Sequence, residues 1–368
     1  MKRAVLLSGS LGAGHDMQAR ACAMSLADRG WTTDTLDAMQ LLGPRGGSAG
    51  EVAFRAMLAT PGLYDAFHFA ALRPGSRLAL LADAGARRQL VPRLRDYLDH
   101  NPADLAISVF ATAASAVSVL ADRYPGMKHV VLCTDVTPHR LWVQPDVDLY
   151  LVTSPVAEAA VRRYQPRARV RVVQSPVRPG FYDPPAQERA RMDLGLPAED
   201  RAVLLMSGAW GLGPIAQAAG ALADAGVQVL AVSGHNVKLE NRLRAAAQHR
   251  PRLHVFGYTE EVPALMAAAD LVITSSGDTC AEARTVGRPL LLLDVVQGHG
   301  RDNLQHELEL GDADVASSRP AEMVRCALAA LDRAKPPSPG AARSPATWET
   351  AFTLALADIG LGQPDPPR

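Results

Sequence analysis

The stretch that decides the fold is Leu271-Val-Ile-Thr-Ser-Ser-Gly-Asp-Thr-Cys-Ala-Glu-Ala-Arg-Thr-Val-Gly-Arg-Pro-Leu-Leu-Leu-Leu-Asp294. An apolar run ends in a Ser-Ser-Gly turn, a helical segment follows, and Gly-Arg-Pro precedes a second apolar run. This order predicts a strand, a tight loop, a helix and a second strand. The N-terminus of such a helix is an anion site, most often for phosphate. Glu282 and Asn303 flank it with groups suited to sugar hydroxyls, so the stretch predicts a nucleotide-sugar site.

Short apolar runs recur along the whole chain and alternate with helical segments. The candidate strands are Ala4–Ser8, Leu105–Val109, His129–Cys133, Leu149–Val152, Val170–Val173, Ala202–Met206, Val227–Val232, Leu253–Phe256, Leu271–Thr274 and Leu290–Leu293. The amphipathic segments between most of them are long enough for a crossover helix. This alternation predicts an α/β protein with two parallel sheets that helices cover on both faces.

Turn-rich segments divide the chain. Ser175-Pro-Val-Arg-Pro-Gly-Phe-Tyr-Asp-Pro-Pro185 predicts a boundary between a first domain at 1–178 and a second at 179–343. The Pro-rich Lys335-Pro-Pro-Ser-Pro-Gly340 precedes a last helix, expected at about Pro345–Ile359 within the segment 344–361. The tail at 362–368 is predicted to be disordered.

The charge of the chain is balanced. Of its 368 residues, 38 are Lys or Arg and 38 are Asp or Glu, so bulk charge gives no reason to expect nucleic acid. Residues 1–178 hold 21 Lys and Arg against 15 Asp and Glu. This modest basic excess suits an anionic partner such as a lipid surface.

The chain also lacks the sequence features of membrane-spanning and secreted proteins. No apolar run approaches the roughly 18 residues that cross a bilayer, and the apolar start is too short for a signal-peptide core. Its four cysteines, Cys22, Cys133, Cys280 and Cys326, form no CxxC pair and are predicted to be buried thiols in a reducing compartment. The protein is therefore expected in the cytoplasm, at most peripheral at the inner face of the membrane.

The first loop, Ser8-Gly-Ser-Leu-Gly-Ala-Gly-His-Asp16, follows a strand and opens a helix. It is not a Walker A loop, and Met17 replaces the last Gly of a dinucleotide fingerprint. An imidazole at a helix start can titrate near neutrality and take a proton from a hydroxyl, which makes His15 a candidate base. A helix-capping or core role for His15 stays open.

From this loop onward the chain resembles the monogalactosyldiacylglycerol synthases and the bacterial diacylglycerol glucosyltransferases. Gly12-Ala-Gly-His15 is similar to their Gly-Gly-Gly-His loop. Further motifs follow in the family's order: Cys133-Thr-Asp-Val-Thr-Pro-His139, Ser154-Pro-Val-Ala-Glu158, Ser175–Phe181, Leu204-Leu-Met-Ser-Gly-Ala-Trp-Gly-Leu-Gly-Pro214 and Val229-Leu-Ala-Val-Ser-Gly-His-Asn-Val-Lys-Leu239. The resemblance runs from about residue 4 to 316. It implies a GT-B fold, in which two Rossmann-like domains with parallel sheets face a cleft and the last helix crosses back to the first domain.

The resemblance also implies roles for individual residues. The first domain would bind the acceptor, and His15 matches the histidine regarded as the base that deprotonates its hydroxyl. The donor diphosphate would lie against Gly208, Gly211, Gly213, Ser276, Gly277 and Thr279, the nucleoside against Phe256, Gly257, Tyr258 and Glu282, and the donor sugar near His299, Asp302 and Asn303. Backbone N–H groups suit a leaving diphosphate, and a carboxylate suits the diol of a ribose.

The chain departs from the family at two places. In Gln297-Gly-His-Gly-Arg-Asp-Asn303, His299 and Gly300 replace a glutamine and a glutamate that contact hexose hydroxyls, so the identity of the donor sugar does not carry over. Asp278 stands where the family favours a small residue in the phosphate loop. As a helix N-cap it would be well chosen, whereas facing the ligand it would repel a diphosphate.

Asp135 follows a predicted strand and has two open interpretations. It could orient His15 or touch the acceptor, which makes it a second catalytic candidate, or it could cap an ordinary turn.

Residues 43–95 combine apolar and aromatic side chains with a series of arginines from Arg73 to Arg95. In membrane-bound relatives this part forms the acceptor mouth on the bilayer. It fits weak association with anionic lipid, to which each basic residue adds about 1 kcal/mol. A helix pair with a solvated arginine face is the alternative, and a soluble acceptor would need no such surface.

Together these features predict an inverting glycosyltransferase. It would move a sugar from a UDP-sugar to a hydroxyl of a lipid such as diacylglycerol or of a small-molecule natural product. The UDP-sugar is a co-substrate, and no other cofactor and no metal ion is expected, because helix dipoles and backbone amides would take the charge. Two alternatives stay open: a sugar-nucleotide epimerase on the same fold, and a non-catalytic protein that binds a sugar-nucleotide or a lipid.

Overall fold

The computed structural model describes residues 2–9, 13–42, 76–206, 215–295, 299–310, 313–317, 319–333 and 345–362. Two compact units divide the chain. The first unit contains Met1–Pro176, Gln297–His299 and Ala346–Arg368, and the second contains Val177–Val296 and Gly300–Pro345. Residues 363–368 of the predicted tail and the Pro-rich stretch at 335–340 lie outside the described residues.

The first unit is built on a parallel sheet of six strands in the order β2-β1-β3-β4-β5-β6. The strands are β1 (Arg3–Ser8), β2 (Thr32–Asp37), β3 (Leu105–Ser108), β4 (Lys128–Leu132), β5 (Leu149–Val152) and β6 (Val170–Val172). Its helices are Ala13–Ala27, Ala38–Leu41, Arg77–His100, Ala111–Val119, Pro155–Tyr164 and the last helix, Pro345–Ala357.

Strand β1 shows why this sheet is buried on both faces. Ala4 and Leu6 belong to one apolar core, which includes Trp348 and Phe352 of the last helix. Val5 and Leu7 belong to a second core on the other face, with leucines of the helix Arg77–His100. A strand covered on both faces has an unbroken apolar run, and this run is what predicts β1 from the sequence. The packing of Trp348 and Phe352 also places the last helix in the first unit, as the resemblance implies.

The second unit repeats this plan with the strand order β12-β11-β10-β7-β8-β9, again all parallel. Its strands are β7 (Ala202–Met206), β8 (Gln228–Val232), β9 (Leu253–Phe256), β10 (Leu271–Ser275), β11 (Leu290–Leu293) and β12 (Ala313–Ala316). Its helices are Gln187–Asp193, Ile215–Asp224, Val237–Ala247, Val262–Ala268, Asp278–Val286, His299–Glu309 and Pro320–Arg333.

The stretch Leu271–Asp294 forms the predicted strand, loop, helix and strand. The helix Asp278–Val286 ends at Gly287, whose φ of 77° is left-handed and whose N–H closes the last turn on Ala283 and Arg284. Glycine is favoured there because a Cβ strains this conformation. Pro289 follows and the chain continues directly into β11.

All ten predicted strands are confirmed to within one residue at each end, but β2 and β12 were not predicted. Strand β2 has the sequence Thr-Thr-Asp-Thr-Leu-Asp and is only half-buried, and β12 exposes two of its four residues. Both lie at an outer edge of their sheet. An edge strand needs no continuous apolar run, so the signal that identified the other strands is absent from these two.

The strand order locates one special edge in each unit. In the first sheet, the order reverses between β1 and β3, and in the second it reverses between β7 and β10. In open α/β sheets, ligands bind outside the carboxyl ends of the strands at such a reversal. The loops after β1 and β3, and after β7 and β10, are therefore where the functional groups are expected.

Candidate functional site

In the second unit, the loop after β10 leads straight into a helix N-terminus. Ser276 is buried, Gly277 is exposed and extended, and the helix begins at Asp278. Gly277 is the N-cap residue and has no side chain with which to cap the helix. A Cβ placed on Gly277 would meet no atom of the described residues within 4 Å. Backbone N–H groups at an exposed helix start are a ready anion site, and Thr279 in the first turn adds a hydroxyl.

The structure corrects one sequence interpretation at this point. Asp278 is the first residue of the helix, and Gly277 occupies the N-cap position. The Asp278 side chain therefore does not act as the cap, although its charge in the first turn still favours the helix dipole.

Glu282 lies one turn further along the same helix and is almost enclosed, with 6% of its surface exposed. Burial raises the pKa of its carboxyl to about 8, an effect that Arg178 opposes and Asp278 reinforces. The Nε of Arg178 is 3.8 Å from Glu282 Oε1. The structure thus gives Glu282 a charged neighbour of each sign.

Sequence reasoning gave no role to Arg178, although this residue lies within the quoted motif Ser175–Phe181. Its guanidinium makes an ion pair of 2.8 Å with Glu260 and lies 5.1 Å from the centre of the Phe181 ring. The motif Ser175–Phe181 drew attention to this segment of the sequence. It did not reveal the role of Arg178, because Glu260 and Glu282 lie far from Arg178 along the chain.

The predicted nucleoside segment follows β9 at the same edge of the sheet. The carbonyl of Phe256 accepts a hydrogen bond of 2.9 Å from the N–H of Ser233. A Cβ on Gly257 would lie 3.0 Å from Glu240 Oε2, so the backbone is tightly packed there. The ring of Tyr258 stacks on His235 with the centroids 4.2 Å apart, while 59% of the Tyr258 residue stays exposed.

The predicted donor-sugar residues lie on the helix His299–Glu309. Asn303 Oδ1 is buried and has no hydrogen-bond partner among the described residues. Glu307, one turn further on and hence on the same face, forms an ion pair with Arg284 of the helix Asp278–Val286. That pair holds the Asn303 face of this helix against the phosphate-loop helix, and Asp302 precedes Asn303 in the first turn.

Part of the predicted donor site falls in segments that the structure does not describe. Gly208, Gly211 and Gly213 lie outside the described residues, as do Gln297 and Gly298 and the side chain of His299. The strand that leads into the glycine turn is described, however, and β7 pairs with β10 over Val203–Leu205.

In the first unit, His15 lies in the first turn of the helix after β1. Its Nδ1 atom is buried and has no hydrogen-bond partner in the described part of the chain. Its ring meets that of Phe110 edge-to-face, with the centroids 5.5 Å apart. Phe110 follows β3, so this contact lies where the strand order reverses. A Cβ on Gly9 would come within 2.7 Å of the Phe110 ring, so glycine is required at that position.

Asp135 contacts two residues of the segment that follows β4. Asp135 Oδ2 accepts a hydrogen bond of 2.9 Å from Trp142 Nε1 and lies 3.7 Å from His139 Nε2. All of these groups belong to the segment after β4. A catalytic role for Asp135 stays a prediction.

The proposed acceptor segment is described only from residue 76 onward, and 43–75 lies outside the described residues. Residues 77–100 form one long helix, near whose start Leu81 is 70% exposed and Arg77 and Arg88 are exposed. Within the described residues, no helix combines the length and the apolar composition needed to cross a membrane. The same residues contain no group of three or more His, Cys, Asp or Glu arranged to hold a metal ion.

Two parallel sheets of this topology, each with polar groups at its strand-order reversal, place the protein in the GT-B class. The glycosyltransferase MurG of Acinetobacter baumannii shares the fold, with a TM-score of 0.57 and 14% identity over 99% of this chain and 96% of that chain.

More specific similarity comes from the sequence. Residues 78–177 match the monogalactosyldiacylglycerol synthase family, and residues 214–318 match the C-terminal domain of glycosyltransferase family 28. The resemblance drawn from the motifs is thereby confirmed.

Individual relatives agree. A probable chloroplastic monogalactosyldiacylglycerol synthase of Glycine max is 32% identical over 50% of this chain and 38% of its own length. A processive diacylglycerol β-glucosyltransferase of Bacillus pumilus is 31% identical over 50% of this chain and 49% of its own length. The chain thus spans less than half the length of these two curated relatives.

Proposed function

We propose that the protein is an inverting glycosyltransferase that moves a sugar from a UDP-sugar to an acceptor hydroxyl. One observation carries the proposal. A helix N-terminus whose N-cap is the exposed Gly277 lies at the strand-order reversal of the second sheet, with the buried carboxyl of Glu282 one turn away. This pairing of an anion site with a diol-binding group suits a nucleoside diphosphate.

In the proposed donor site, each group has a separate task. The diphosphate lies at the start of the helix, where Ser276, Gly277 and Thr279 meet the negative charge that grows as UDP leaves. Glu282 forms hydrogen bonds with the ribose hydroxyls: its oxygens accept, and in the protonated form its O–H also donates. Asn303 Oδ1 is buried and has no hydrogen-bond partner in the described part of the chain, and it accepts from a hydroxyl of the sugar.

In the proposed transfer step, His15 is the general base. The Nδ1 atom of His15 is enclosed, so we assign the proton-accepting role to Nε2. In the neutral imidazole the single N–H proton is then on Nδ1. The acceptor oxygen loses its proton to Nε2 and forms a bond to the anomeric carbon. The bond from that carbon to UDP breaks on the opposite face, and the electron pair leaves with the diphosphate.

For the acceptor we propose a lipid such as diacylglycerol, as the names of the relatives suggest, with a small-molecule hydroxyl compound as the alternative. Exposed Leu81 beside Arg77 and Arg88 supports contact with an anionic bilayer, since apolar and basic side chains act together at such a surface. We propose a cytoplasmic protein that rests on the inner face of the membrane.

The test is calorimetric titration of the purified protein with UDP and a panel of UDP- and dTDP-sugars, followed by an assay of UDP release with and without diacylglycerol vesicles. We expect UDP to bind and UDP release to require the acceptor. Conversion of a UDP-sugar without any acceptor would point to an epimerase instead. Binding with no release under either condition would point to a non-catalytic protein, and no binding at all would refute the proposal.

A further inference from the structure

Arg178 stands between two carboxylates that belong to different parts of the nucleoside site. On one side it is paired with Glu260 at 2.8 Å, and on the other its Nε lies 3.8 Å from Glu282. Glu260 follows β9, and Glu282 lies on the helix after β10. A single side chain therefore connects two loops whose strands are separated by two others in the sheet.

The position of this guanidinium is well defined. Arg178 precedes Pro179 and has an extended backbone, with φ of −61° and ψ of 145°, which is the conformation that a following proline favours. Its neighbour Val177 is buried in the core of the second unit, and its guanidinium lies over the ring of the fully buried Phe181. Cation–π contact and a fixed backbone reduce the freedom that an arginine loses when it binds two carboxylates.

The contact with Glu260 reaches the exposed aromatic group of the nucleoside segment. The Tyr258 hydroxyl donates a hydrogen bond to the same Glu260 carboxylate, and the Tyr258 ring stacks on His235. Glu260 is largely exposed, so alone it would hold Tyr258 weakly. With Arg178 on its second oxygen, the carboxylate has a fixed orientation, and the Tyr258 ring is held between Glu260 and His235.

The contact with Glu282 acts in a different way. Glu282 is buried and has Asp278 as a like-charged neighbour, and Arg178 is the positive group that offsets both effects. Without Arg178, the charged form of this carboxyl would be less favourable still.

We propose that Arg178 is a positioning residue for the nucleoside half of the donor, acting through Glu260 on the Tyr258–His235 stack and through Glu282 on the ribose-binding carboxyl. This inference rests on the proposed function. It differs from a direct role on the phosphates, because in the structure the guanidinium is engaged by two carboxylates on the nucleoside side of the site. Uridine, which has a base and a ribose but no phosphate, separates the two roles.

The experiment compares the binding of uridine and UDP to the wild-type protein, Arg178→Gln and Glu260→Gln. We expect Arg178→Gln to weaken both ligands by the same factor, about tenfold, which corresponds to about 1.4 kcal/mol. Glu260→Gln, at an exposed position that leaves folding intact, should weaken both ligands about threefold, or roughly 0.65 kcal/mol. Arg252→Gln is the matched control, because Arg252 makes a similar half-exposed pair with Asp200 at the opposite end of β9.

A second readout distinguishes positioning from a general loss of structure. Removing Arg178 should move the pH midpoint of uridine binding upward, because the charged form of Glu282 loses its positive neighbour. Arg178→Lys keeps the charge and should restore the midpoint, while recovering only part of the affinity.

Three results would overturn the inference. A loss confined to UDP would mean that Arg178 contacts phosphate, and unchanged uridine binding in both variants would mean that it positions nothing. An unaltered pH midpoint would remove the link to Glu282. If the wild-type protein bound neither ligand, the proposed function itself would fail, which is a different outcome from failure of the variants alone.

Discussion

The two strand-order reversals, at β1 and β3 in the first unit and at β7 and β10 in the second, share a topology but differ in how their polar groups are paired. At the first, the central group is the imidazole of His15, which lies against an aromatic ring and whose Nδ1 has no hydrogen-bond partner within the described residues. At the second, the buried Glu282 has charged neighbours of both signs.

This difference fits two kinds of work. A general base must bring one nitrogen within hydrogen-bond reach of the hydroxyl whose proton it takes. A binding site gains affinity when its groups are held in place before the ligand arrives, because less conformational entropy is then lost on binding. The first edge therefore suits proton transfer and the second suits recognition, and the predictions below test that division.

The largest effect is expected from His15→Ala. Loss of a general base lowers the rate of transfer by about 100- to 10,000-fold, whereas UDP affinity should be unchanged because the donor groups lie in the other unit. Measured UDP release with acceptor present, together with calorimetry for UDP, checks both halves. A variant that keeps full transfer would remove His15 as the base, and one that loses UDP affinity would break the division between the two edges.

Gly9→Ala tests the same edge without touching the imidazole. The new Cβ would lie 2.7 Å from the Phe110 ring, which must then shift and disturb its contact with His15. Overpacking of this kind costs about 1–3 kcal/mol of folding stability, and we expect transfer to fall with it.

The control for this variant is Gly85→Ala, in the helix Arg77–His100, where an added Cβ meets no atom within 4 Å. Alanine in a helix interior is favoured over glycine by about 1 kcal/mol, so the control should unfold at the same temperature as wild type or higher. Equal thermal melting of Gly9→Ala and wild type would show that Phe110 can shift freely.

Glu282→Gln tests the electrostatics of the second edge through pH. The pKa of Glu282 is about 8 in the folded protein, above its ordinary value of 4.5, so the folded state holds a proton that the unfolded chain releases between these values. The stabilising contribution is thus complete below about pH 4.5 and is lost as pH rises through 8. As pH rises from about 4.5 to 8, the free energy of unfolding should therefore fall less in the glutamine variant than in wild type.

Thermal unfolding from pH 5 to 9 measures the difference, and 1 kcal/mol corresponds to about 2–4 °C for a domain of this size. Glu322→Gln provides the contrast, because the hydrogen bond from Ser317 lowers the pKa of that carboxyl and its contribution is lost on the acid side. Parallel melting curves for Glu282→Gln and wild type would mean that Glu282 is not held in its protonated form.

Sequence alone predicted the parts of these edges that depend on local patterns. The Ser-Ser-Gly turn and the apolar run before it identified the helix N-terminus at Ser276–Thr279, and the central strands were found by their unbroken apolar runs. The partners of Arg178 could not be predicted, because Glu260 is 82 residues away and only the pairing of strands brings them together. The need for glycine at position 9 likewise depends on Phe110, which approaches it through the β1–β3 pairing.

The smallest effect, and the finest test of the second edge, is expected from Asp278→Asn. Asp278 is the first residue of the helix, so its charge stabilises the helix while it opposes a diphosphate at the same N-terminus. Replacing it should lower the stability of the protein by about 0.3–1 kcal/mol and tighten UDP by about two- to fivefold, a free-energy change of similar size. Uridine should not gain to the same extent, because it carries no phosphate. The pKa of Glu282 should fall, since Asp278 contributes to its elevation.

Asp193→Asn, at an exposed position in another helix of the same unit, controls for a general change in charge. Equal gains for uridine and UDP would mean that Asp278 acts on the nucleoside through Glu282. A loss of UDP affinity would mean that its carboxylate helps to build the phosphate site.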